Sequence, residues 1–563
     1  MRSIDFFAVL RVAVLAMAGG VAGVAMAEVP AAAVSVKVRD VVLHGIDSRL
    51  FGQFMERPSW GGEIGPEGSL IPGAHELRPE AKRLIREMQI PIVRFPGGTD
   101  VDYIDWLDMI DNVPDRNADR PITTGHAGNR VGNNFGYDEF LRLCGQLAME
   151  PILVVNFREG LLSQHGPQVG AQHAAKLVAY CNAAADAKLP GELAAWPRLR
   201  ARNGHPAPYG VKYIQIGNET WAFSRDTSQD QYLAALRAYV EAIRAVDPMV
   251  RLIVDGQPAE LAARIHRELG DRIAYYAVHH YQPWQVAEVR RGSEQVAVAD
   301  LTAQDIWYAW VTLPGIDSAG QSILANGDLD QARRLGYPVA MTEWNWNGWW
   351  GGSFRGRAAL DSLFAKGIGA AGILHAIMRQ GDTVQIAAQS MLIGDGWGIH
   401  AICCDRRGRV APYMVPSGQV TTLYGLHHGS QRLQLDLENV PRYEQPYRMG
   451  GIGPAHSAAY LDILATRDQR KLYLHCINRH FDSPLDLAVD VSSLPTPPEE
   501  AGTLHILEGR LTNAPAAGED PAPGQIRDVP LPIAGRLFPV RLPARSVTVV
   551  EIPLRADASE SSR

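Results

Sequence analysis

The stretch PVAMTEWNW, residues 338–346, combines the features that decide the fold of this chain. A short apolar run leads directly into a carboxylate, Glu343, and tryptophans follow it. The stretch KYIQIGNETW, residues 212–221, repeats the arrangement around Glu219. Short apolar runs rich in β-branched and aromatic residues are typical of buried strands. The sequence therefore predicts that both carboxylates lie where strands end.

Six further runs of the same kind are spaced along residues 49–429, and amphipathic segments separate them. We predict eight strands, at residues 50–54, 91–95, 151–156, 212–217, 251–256, 273–280, 338–343 and 371–377. Apolar residues recur at helical spacing in RPEAKRLIREM, YDEFLRLCGQL, QDQYLAALRAYVEAIRAV and AALDSLFAKGI. This alternation predicts an α/β protein with a (β/α)₈ barrel.

The pattern of apolar and polar residues changes on both sides of the predicted barrel. After residue 430 the pattern alternates between apolar and polar residues, as in RLQLDL and LDLAVDV, which predicts a β-sandwich over 430–555. Residues 28–48 alternate in the same way and are expected to add a strand to that sandwich. Residues 1–27 have the charge, apolar run and AMA ending of a signal peptide, so export to the periplasm or outside the cell is expected. Residues 556–563 are predicted to be a loose tail.

Composition restricts the partners. The 563 residues carry a formal net charge of −7 and no run of basic residues, which argues against a nucleic-acid partner and suits a neutral ligand. No segment after the leader is long and apolar enough to span a membrane. No Gly-x-Gly-x-x-Gly or Walker pattern and no set of residues with metal-ligand spacing is present, so neither cofactor nor metal is expected.

The five cysteines are expected to be buried thiols or to form one disulfide. The oligomeric state, including a homo-oligomer, is left open.

The two strand-end glutamates indicate a reaction. In a (β/α)₈ barrel the active site lies at the carboxyl ends of the strands. Glycoside hydrolysis needs two carboxyl groups there, one to protonate the leaving oxygen and one to attack the sugar or activate water. A single glutamate at a strand end is as often a structural ion-pair partner. Two of them, Glu219 and Glu343, each flanked by tryptophan, favour catalysis.

The motifs resemble those of a known family. GNE after the fourth strand and TEWN after the seventh look like the acid/base and nucleophile motifs of clan A retaining glycosidases. LFGQFMER, VRFPGGTDVDYIDW, NNFGYDEFLRLC, AVHHY, AAQSM and LPARSVTVVEI resemble, in the same order, segments of glycoside hydrolase family 51, the α-L-arabinofuranosidases. The resemblance covers nearly the whole chain after the leader.

This resemblance implies roles for individual residues. Glu219 would be the general acid/base, Glu343 the nucleophile, and Asn218 the donor to the sugar 2-hydroxyl. A further set is expected to bind the sugar or orient the nucleophile: Glu56, Thr99, Asp100, His280, Tyr281, Trp344 and Gln389. We expect partial burial and the nearby Glu343 to raise the pKa of Glu219, so that it stays protonated.

One departure concerns the sugar pocket. Where the family pattern continues Gly-Gly-Asn, this chain has Thr99 followed by Asp100. A shorter side chain would open space that an extra hydroxymethyl group could fill while bonding to Asp100. The sequence thus leaves open a galactofuranosidase or an endo-β-glycanase beside the arabinofuranosidase. A carbohydrate-binding protein on an inactive barrel is the alternative from another class.

Overall fold

Eight parallel strands close into a barrel in the order in which they occur along the chain. The computed structural model describes residues 33–57, 64–312, 327–351, 362–395, 398–405, 407–450, 452–513 and 520–555. The predicted leader and tail, and the start of the segment AALDSLFAKGI, lie outside these residues. The barrel strands, numbered one to eight below, are Gly52–Phe54, Ile92–Phe95, Glu150–Val155, Tyr213–Ile216, Arg251–Asp255, Tyr275–Tyr281, Val339–Asn345 and Val384–Ser390. The fold class predicted from the sequence is confirmed.

Helices cover the outside of the barrel, and their apolar stripes face the strands. The α-helices are Pro79–Met88, Tyr137–Leu147, Arg158–Leu161, Gln168–Asn182, Ala195–Arg202, Gln229–Val246, Ala259–Leu269, Ala303–Val311, Gly327–Leu335, Leu363–Met378 and Pro416–Leu426. None of the helices within the described ranges is long and apolar enough to cross a membrane.

The prediction for the eighth strand is wrong. The segment AGILHAI, residues 371–377, lies inside the helix Leu363–Met378, and the true eighth strand is Val384–Ser390. Every residue of that helix from Phe364 to Met378 is buried. A helix that is apolar on all sides loses the helical spacing of apolar residues, so its pattern cannot be distinguished from that of a buried strand.

A second apolar core lies in the carboxyl-terminal sheet. Its nine strands are Val34–Gly45, Gln431–Glu438, Leu461–Arg467, Lys471–Asn478, Leu485–Asp490, Ala501–Gly509, Gly524–Pro532, Leu537–Leu542 and Ser546–Pro553. The first of them pairs antiparallel with Gln431–Glu438 and parallel with Leu485–Asp490. Leu531 and Phe538, from the two edge strands, belong to the same core. The sheet therefore folds over its own apolar face.

Within the described residues, twelve short strands lie outside these two assemblies. They are Thr123–Thr124, Arg130–Val131, Gln285–Val286, Val289–Arg291, Glu294–Gln295, Trp349–Trp350, Ile393–Gly394, Ile402–Cys403, Tyr413–Met414, Arg442–Gln445, Tyr447–Met449 and Ala455–Ala459. Gln285–Val286 pairs with Trp349–Trp350, which joins the loops after strands six and seven.

A buried ion cluster connects the barrel to the sheet. Asp462, in the sheet strand Leu461–Arg467, accepts from Arg479 Nη2 at 2.8 Å and pairs with Arg379, just after the helix Leu363–Met378. His375 Nδ1, from that same helix, lies 3.1 Å from Asp462 Oδ1. The Asp462 side chain is only 1% exposed. The five cysteines all lie in described residues; Cys144, Cys181, Cys404 and Cys476 are buried, and Cys403 is partly exposed.

Candidate active site

Three polar side chains converge where the barrel strands end. A Cβ atom placed on Gly98 would lie 3.0 Å from Glu56 Oε1, 3.2 Å from Glu343 Oε1 and 3.8 Å from Asn218 Nδ2. Glu56 and Asn218 follow strands one and four, Glu343 lies near the end of strand seven, and all three are buried. Glycine at this position therefore keeps open the space between them. The end of the barrel that holds this space is the one where catalysis occurs in such folds.

Arg94 organises the floor of the site. It lies in strand two, is fully buried, and its guanidinium is 4.7 Å from the ring centroid of Phe54. Its Nη1 donates to Glu343 Oε1 at 2.8 Å and its Nη2 donates to Asn218 Oδ1 at 2.6 Å. A buried carboxylate is tolerated when a paired, hydrogen-bonded cation faces it. Arg94 therefore supplies the counter-charge of Glu343 and fixes the orientation of the Asn218 amide.

The second oxygen of Glu343 is held from the opposite side. The Tyr281 hydroxyl, at the end of strand six, donates to Glu343 Oε2 at 2.7 Å. The same hydroxyl lies 2.6 Å from Ser390 Oγ, at the end of strand eight. Each Glu343 oxygen thus has a donor, and the carboxylate plane is fixed toward the cavity.

Glu219 and Glu343 lie close together, with His279 between them. One oxygen of each carboxylate and one ring nitrogen of His279 all lie within 4.8 Å of one another. His279 Nδ1 is 3.0 Å from Glu219 Oε1 and 3.6 Å from Glu343 Oε2. Retaining glycosidases separate their carboxyl groups by about 5–5.5 Å, and inverting ones by about 6.5–9.5 Å. The spacing here is the short one.

The His279 contact changes the pKa of Glu219 in the direction opposite to our expectation. Burial by itself would raise the pKa of Glu219, but the hydrogen bond with His279 and the positive charges of His279 and Arg94 together hold that pKa below its ordinary value. Burial would lower the pKa of His279, yet the charges of Glu343 and Glu219 raise it. Both directions favour an ionised Glu219 beside a protonated His279, and the two groups titrate as a pair.

Buried aspartates position the Glu219 loop. Asp102 accepts from the Asn218 backbone N–H at 3.1 Å and from the Phe157 N–H at 2.7 Å. Asp255 accepts from the Thr220 hydroxyl at 3.0 Å on the other side of Glu219. Glu219 itself has a left-handed backbone, with φ of 46°. Such a conformation persists only where surrounding contacts hold it, and it is common at active sites.

Aromatic side chains line the open cavity above the carboxylates. The cavity measures about 620 Å³ and is lined by Glu219, Trp221, Gln257, Pro258, His279, Tyr281 and Trp284. Trp221 is 44% exposed and Trp284 is 54% exposed. Exposed indole faces beside these two carboxylates can stack on the C–H surface of a sugar.

Three residues that were predicted to contact the sugar face away from the cavity instead: Trp344, His280 and Gln389. Trp344 is paired with His280 on one side and Gln389 on the other, whereas Glu343 is paired with His279. Successive residues of a strand point to opposite faces, so the first three share the outer face. Trp344 is fully buried in the core between strands and helices. It therefore cannot hold a sugar ring over Glu343.

The other two outward residues have structural surroundings as well. Gln389 Nε2 donates to Ser417 O at 3.3 Å, and Gln389 Oε1 accepts from the Thr421 hydroxyl at 2.5 Å; both partners lie on the helix Pro416–Leu426. Burial lowers the pKa of His280 to about 4. The inward residues at the corresponding positions are Ser390 and His279, which sequence reasoning did not select.

The carboxylate oxygens of Asp100 are bonded to other groups of the protein. It is 2% exposed, pairs with Arg57, and accepts from the His126 backbone N–H at 2.8 Å. The expectation that its carboxylate reaches a sugar is therefore wrong: it anchors the loop beneath the site. Thr99 is half-buried directly after Gly98, at the edge of the floor.

Arg94 was also missed, although its sequence carries a signal. The run PIVRF places a permanent cation inside an apolar strand, where a charge is stable only with a buried partner. His279 could have been found from the two-residue period with Tyr281. Ser390 could be recognised only once the eighth strand was placed at Val384–Ser390.

Comparison with known proteins confirms the resemblance noted from the motifs. Residues 84–293 match the family model described as alpha-L-arabinofuranosidase 1 domain. The matched segment includes Glu219 and ends before Glu343.

Individual relatives carry the same name. A probable alpha-L-arabinofuranosidase C of Aspergillus clavatus is 30% identical over 209 residues, which are 37% of this chain and 37% of that protein. An intracellular exo-alpha-L-arabinofuranosidase of Bacteroides ovatus is 28% identical over 205 residues, 36% of each chain. The aligned segments thus span little more than a third of these curated relatives.

The solved structures extend the likeness to the whole fold. The crystal structure of an alpha-L-arabinofuranosidase from Thermotoga maritima in complex with arabinose superposes with a TM-score of 0.69 at 22% identity. The superposition covers 92% of this chain and all of that one. The barrel and the carboxyl-terminal sheet are therefore a shared architecture.

Proposed function

We propose that this protein is a retaining glycoside hydrolase that releases furanosyl residues, in the manner of an α-L-arabinofuranosidase. The observation that carries the proposal is the approach of Glu219 and Glu343 to within 4.8 Å at the carboxyl end of the barrel. This spacing leaves no room for a water between sugar and carboxylate, so one carboxylate must attack directly. The names of the relatives support furanoside chemistry.

The first step forms a covalent intermediate. Glu343, held by Arg94 and Tyr281, attacks the anomeric carbon with a carboxylate oxygen. The bond from that carbon to the leaving oxygen breaks, and the leaving oxygen takes a proton from Glu219. In the second step Glu219 removes a proton from water, the hydroxide attacks the anomeric carbon, and Glu343 departs as carboxylate. Two inversions give net retention.

His279 supplies the proton that Glu219 needs. His279 Nδ1 lies 3.0 Å from Glu219 Oε1, so a proton on the imidazole can cross to Glu219, which then acts as the general acid. Attack by Glu343 consumes the negative charge that stabilises the imidazolium. The proton therefore becomes easier to release as the leaving group needs it.

Asn218 is placed to recognise the sugar. Its Oδ1 accepts from Arg94, and its buried Nδ2 has no hydrogen-bond partner in the described part of the chain. A buried donor without a partner costs about 1–3 kcal/mol, which a sugar hydroxyl would recover. The same hydroxyl contact can strengthen as positive charge develops on the ring.

The sugar that we propose the enzyme releases is unsubstituted α-L-arabinofuranose. Since Asp100 is committed to Arg57 and His126, the structural reason for preferring a galactofuranosyl group is removed. The comparison of kcat/KM on matched aryl α-L-arabinofuranoside and β-D-galactofuranoside, for wild type and Thr99→Asn, tests this directly. A wild-type preference for the galactofuranoside that Thr99→Asn reverses would favour the alternative.

Two variants test the roles of the carboxylates. Glu219→Ala should lose cleavage of poor leaving groups, keep reaction with activated aryl glycosides, and recover turnover with added azide. Glu343→Ala should lose both reactions. Glu192→Ala, at a glutamate whose side chain is 69% exposed, is the matched control and should retain activity.

Product stereochemistry provides the decisive outcome. NMR of the first-formed sugar should show the anomer of the substrate. An inverted product would defeat the double displacement, and absence of turnover on any aryl furanoside or pyranoside would favour a carbohydrate-binding protein instead.

We also propose that the chain is exported. Amino-terminal sequencing of the secreted protein should then find residue 28 as the first residue.

A further inference from the structure

A second cluster of ionisable side chains lies where the barrel meets the carboxyl-terminal sheet. Its residues are distant in sequence from Glu219 and Glu343. His427 follows the helix Pro416–Leu426, His505 lies in the strand Ala501–Gly509, and Glu551 lies in Ser546–Pro553. One ligand atom from each of the three residues lies within 4.8 Å of the other two. Nothing in the proposed glycosidase mechanism uses them.

His505 has the arrangement of a metal ligand. Its Nδ1 is 2.7 Å from Oδ1 of Asp528, the residue directly opposite on the neighbouring strand. A carboxylate on one ring nitrogen fixes the tautomer and leaves the other nitrogen as a lone-pair donor. That other nitrogen, Nε2, is buried and has no hydrogen-bond partner in the described residues, and the side chain is 9% exposed.

The unpaired nitrogen faces a second acceptor. Glu551 Oε2 is 3.6 Å from His505 Nε2 and 3.1 Å from His427 Nδ1. A lone pair opposite a carboxylate oxygen is unfavourable, and a metal cation between the two atoms would relieve the repulsion. Four ligands about 2.0–2.1 Å from a tetrahedral zinc ion are about 3.3–3.4 Å apart. The two observed separations lie on either side of that value.

The two imidazole rings of the cluster stack on each other, and one oxygen of Glu551 faces them. The ring centroids are 3.7 Å apart and the planes 24° apart, so two imidazolium charges would repel strongly. Lys471 Nζ is 2.5 Å from Glu551 Oε1, which leaves Oε2 for the histidines. Asp528, at 66% exposed, is the remaining charge facing the group.

We propose that His427, His505 and Glu551 bind a divalent transition metal of the Zn²⁺ class, with solvent in the fourth position. Two imidazole nitrogens and one carboxylate suit zinc, cobalt or nickel, whereas magnesium and calcium prefer oxygen ligands. His427 is 23% exposed, so solvent can reach the site. The metal would tie the last helix of the barrel to the sheet and stabilise the folded protein by mass action.

The test uses full-length protein freed of metal by dialysis against a chelator. One equivalent of Zn²⁺ should bind by calorimetry and raise Tm by about 2 °C or more. One equivalent of Co²⁺ should give the visible absorption of a tetrahedral complex with nitrogen and oxygen ligands. His427→Ala and Glu551→Gln should each lose the absorption and the Tm increase while keeping kcat/KM on aryl furanosides.

His456→Ala is the matched control, because the His456 side chain is 87% exposed and lies outside the cluster. It should bind Co²⁺ as the wild type does. Wild-type protein that shows neither the Co²⁺ spectrum nor the Tm increase would overturn the proposal. Binding that survives in His427→Ala and disappears in Glu219→Gln would overturn it too, since the metal would then lie on the catalytic pair.

Discussion

Arg94 donates to Glu343 Oε1 across 2.8 Å, from the second barrel strand to the seventh. The guanidinium is fully buried, and its other nitrogens bond to Asn218 and Gln215. One side chain therefore sets the position of the proposed nucleophile and of the residue proposed to recognise the sugar. Removing it should affect attack and recognition together.

Arg94→Met should lower kcat/KM on aryl furanosides by about 10²–10³, because a preorganised donor to the reacting carboxylate is lost. Arg94→Lys should recover little, since an ammonium group cannot bond to both partners in the fork geometry. Arg251→Met, at the exposed start of the fifth strand, is the matched control and should keep its activity. Near wild-type kcat/KM for Arg94→Met would show that Glu343 does not depend on this contact.

The pH profile should report the proton shared by Glu219 and His279. The charges of Glu343 and Glu219, with the hydrogen bond to Glu219, together outweigh burial and raise the pKa of His279 above its ordinary value of 6.5. The alkaline limb of kcat/KM should therefore lie above that pH. His279→Asn should move the limb to lower pH, with losses of about ten-fold or more at pH 8 and a smaller loss at pH 5. His280→Asn, which faces outward, should leave the limb in place; a limb unmoved in His279→Asn would contradict the proton assignment.

Neighbouring residues of the eighth strand should behave differently. Ser390→Ala removes a hydrogen bond to the Tyr281 hydroxyl, 2.6 Å away, and should lower kcat/KM about 5- to 20-fold with little change in Tm. Gln389→Leu removes the oxygen that accepts from the Thr421 hydroxyl and from Gln53 Nε2, so it should lower Tm while keeping kcat/KM within about three-fold. The reverse pattern would mean that the inward and outward faces are assigned incorrectly.

Acid stability should depend on the buried cluster around Asp462. Burial by itself would raise the pKa of Asp462, but Arg379, His375 and Arg479 hold it well below its usual range. A depressed carboxyl pKa stabilises the fold above the unfolded value, about 3.9, and this stability is lost as the pH falls toward the folded pKa. Asp462→Asn should lower the free energy of unfolding at pH 7 by about 3–5 kcal/mol.

The same variant should flatten the pH dependence of unfolding below about pH 4, measured by denaturant titration. Asp486→Asn, at a surface pair whose aspartate side chain is 31% exposed, is the matched control. Equal losses in the two variants would show that the buried cluster contributes no more than a surface salt bridge.

Sequence periodicity determined the architecture because it records local physics. Alternating short apolar runs and amphipathic segments predicted the barrel, and a two-residue period predicted the sheet after it. The prediction failed at the eighth strand, since the fully buried helix Leu363–Met378 has no polar face to reveal its period. Glu219 and Glu343 were predictable because a strand end fixes where a residue lies along the barrel axis.

Only the tertiary structure decided which face each residue occupies. Trp344 and Glu343 are neighbours, but a single residue of register separates a buried core position from the floor of the cavity. The pKa of Glu219 depends on His279, and the occupancy of Asp100 depends on Arg57 and His126; these partners meet only in the folded chain. Spacing along the sequence specifies position within one strand, whereas pairing between strands specifies which charges and hydrogen-bond donors come together.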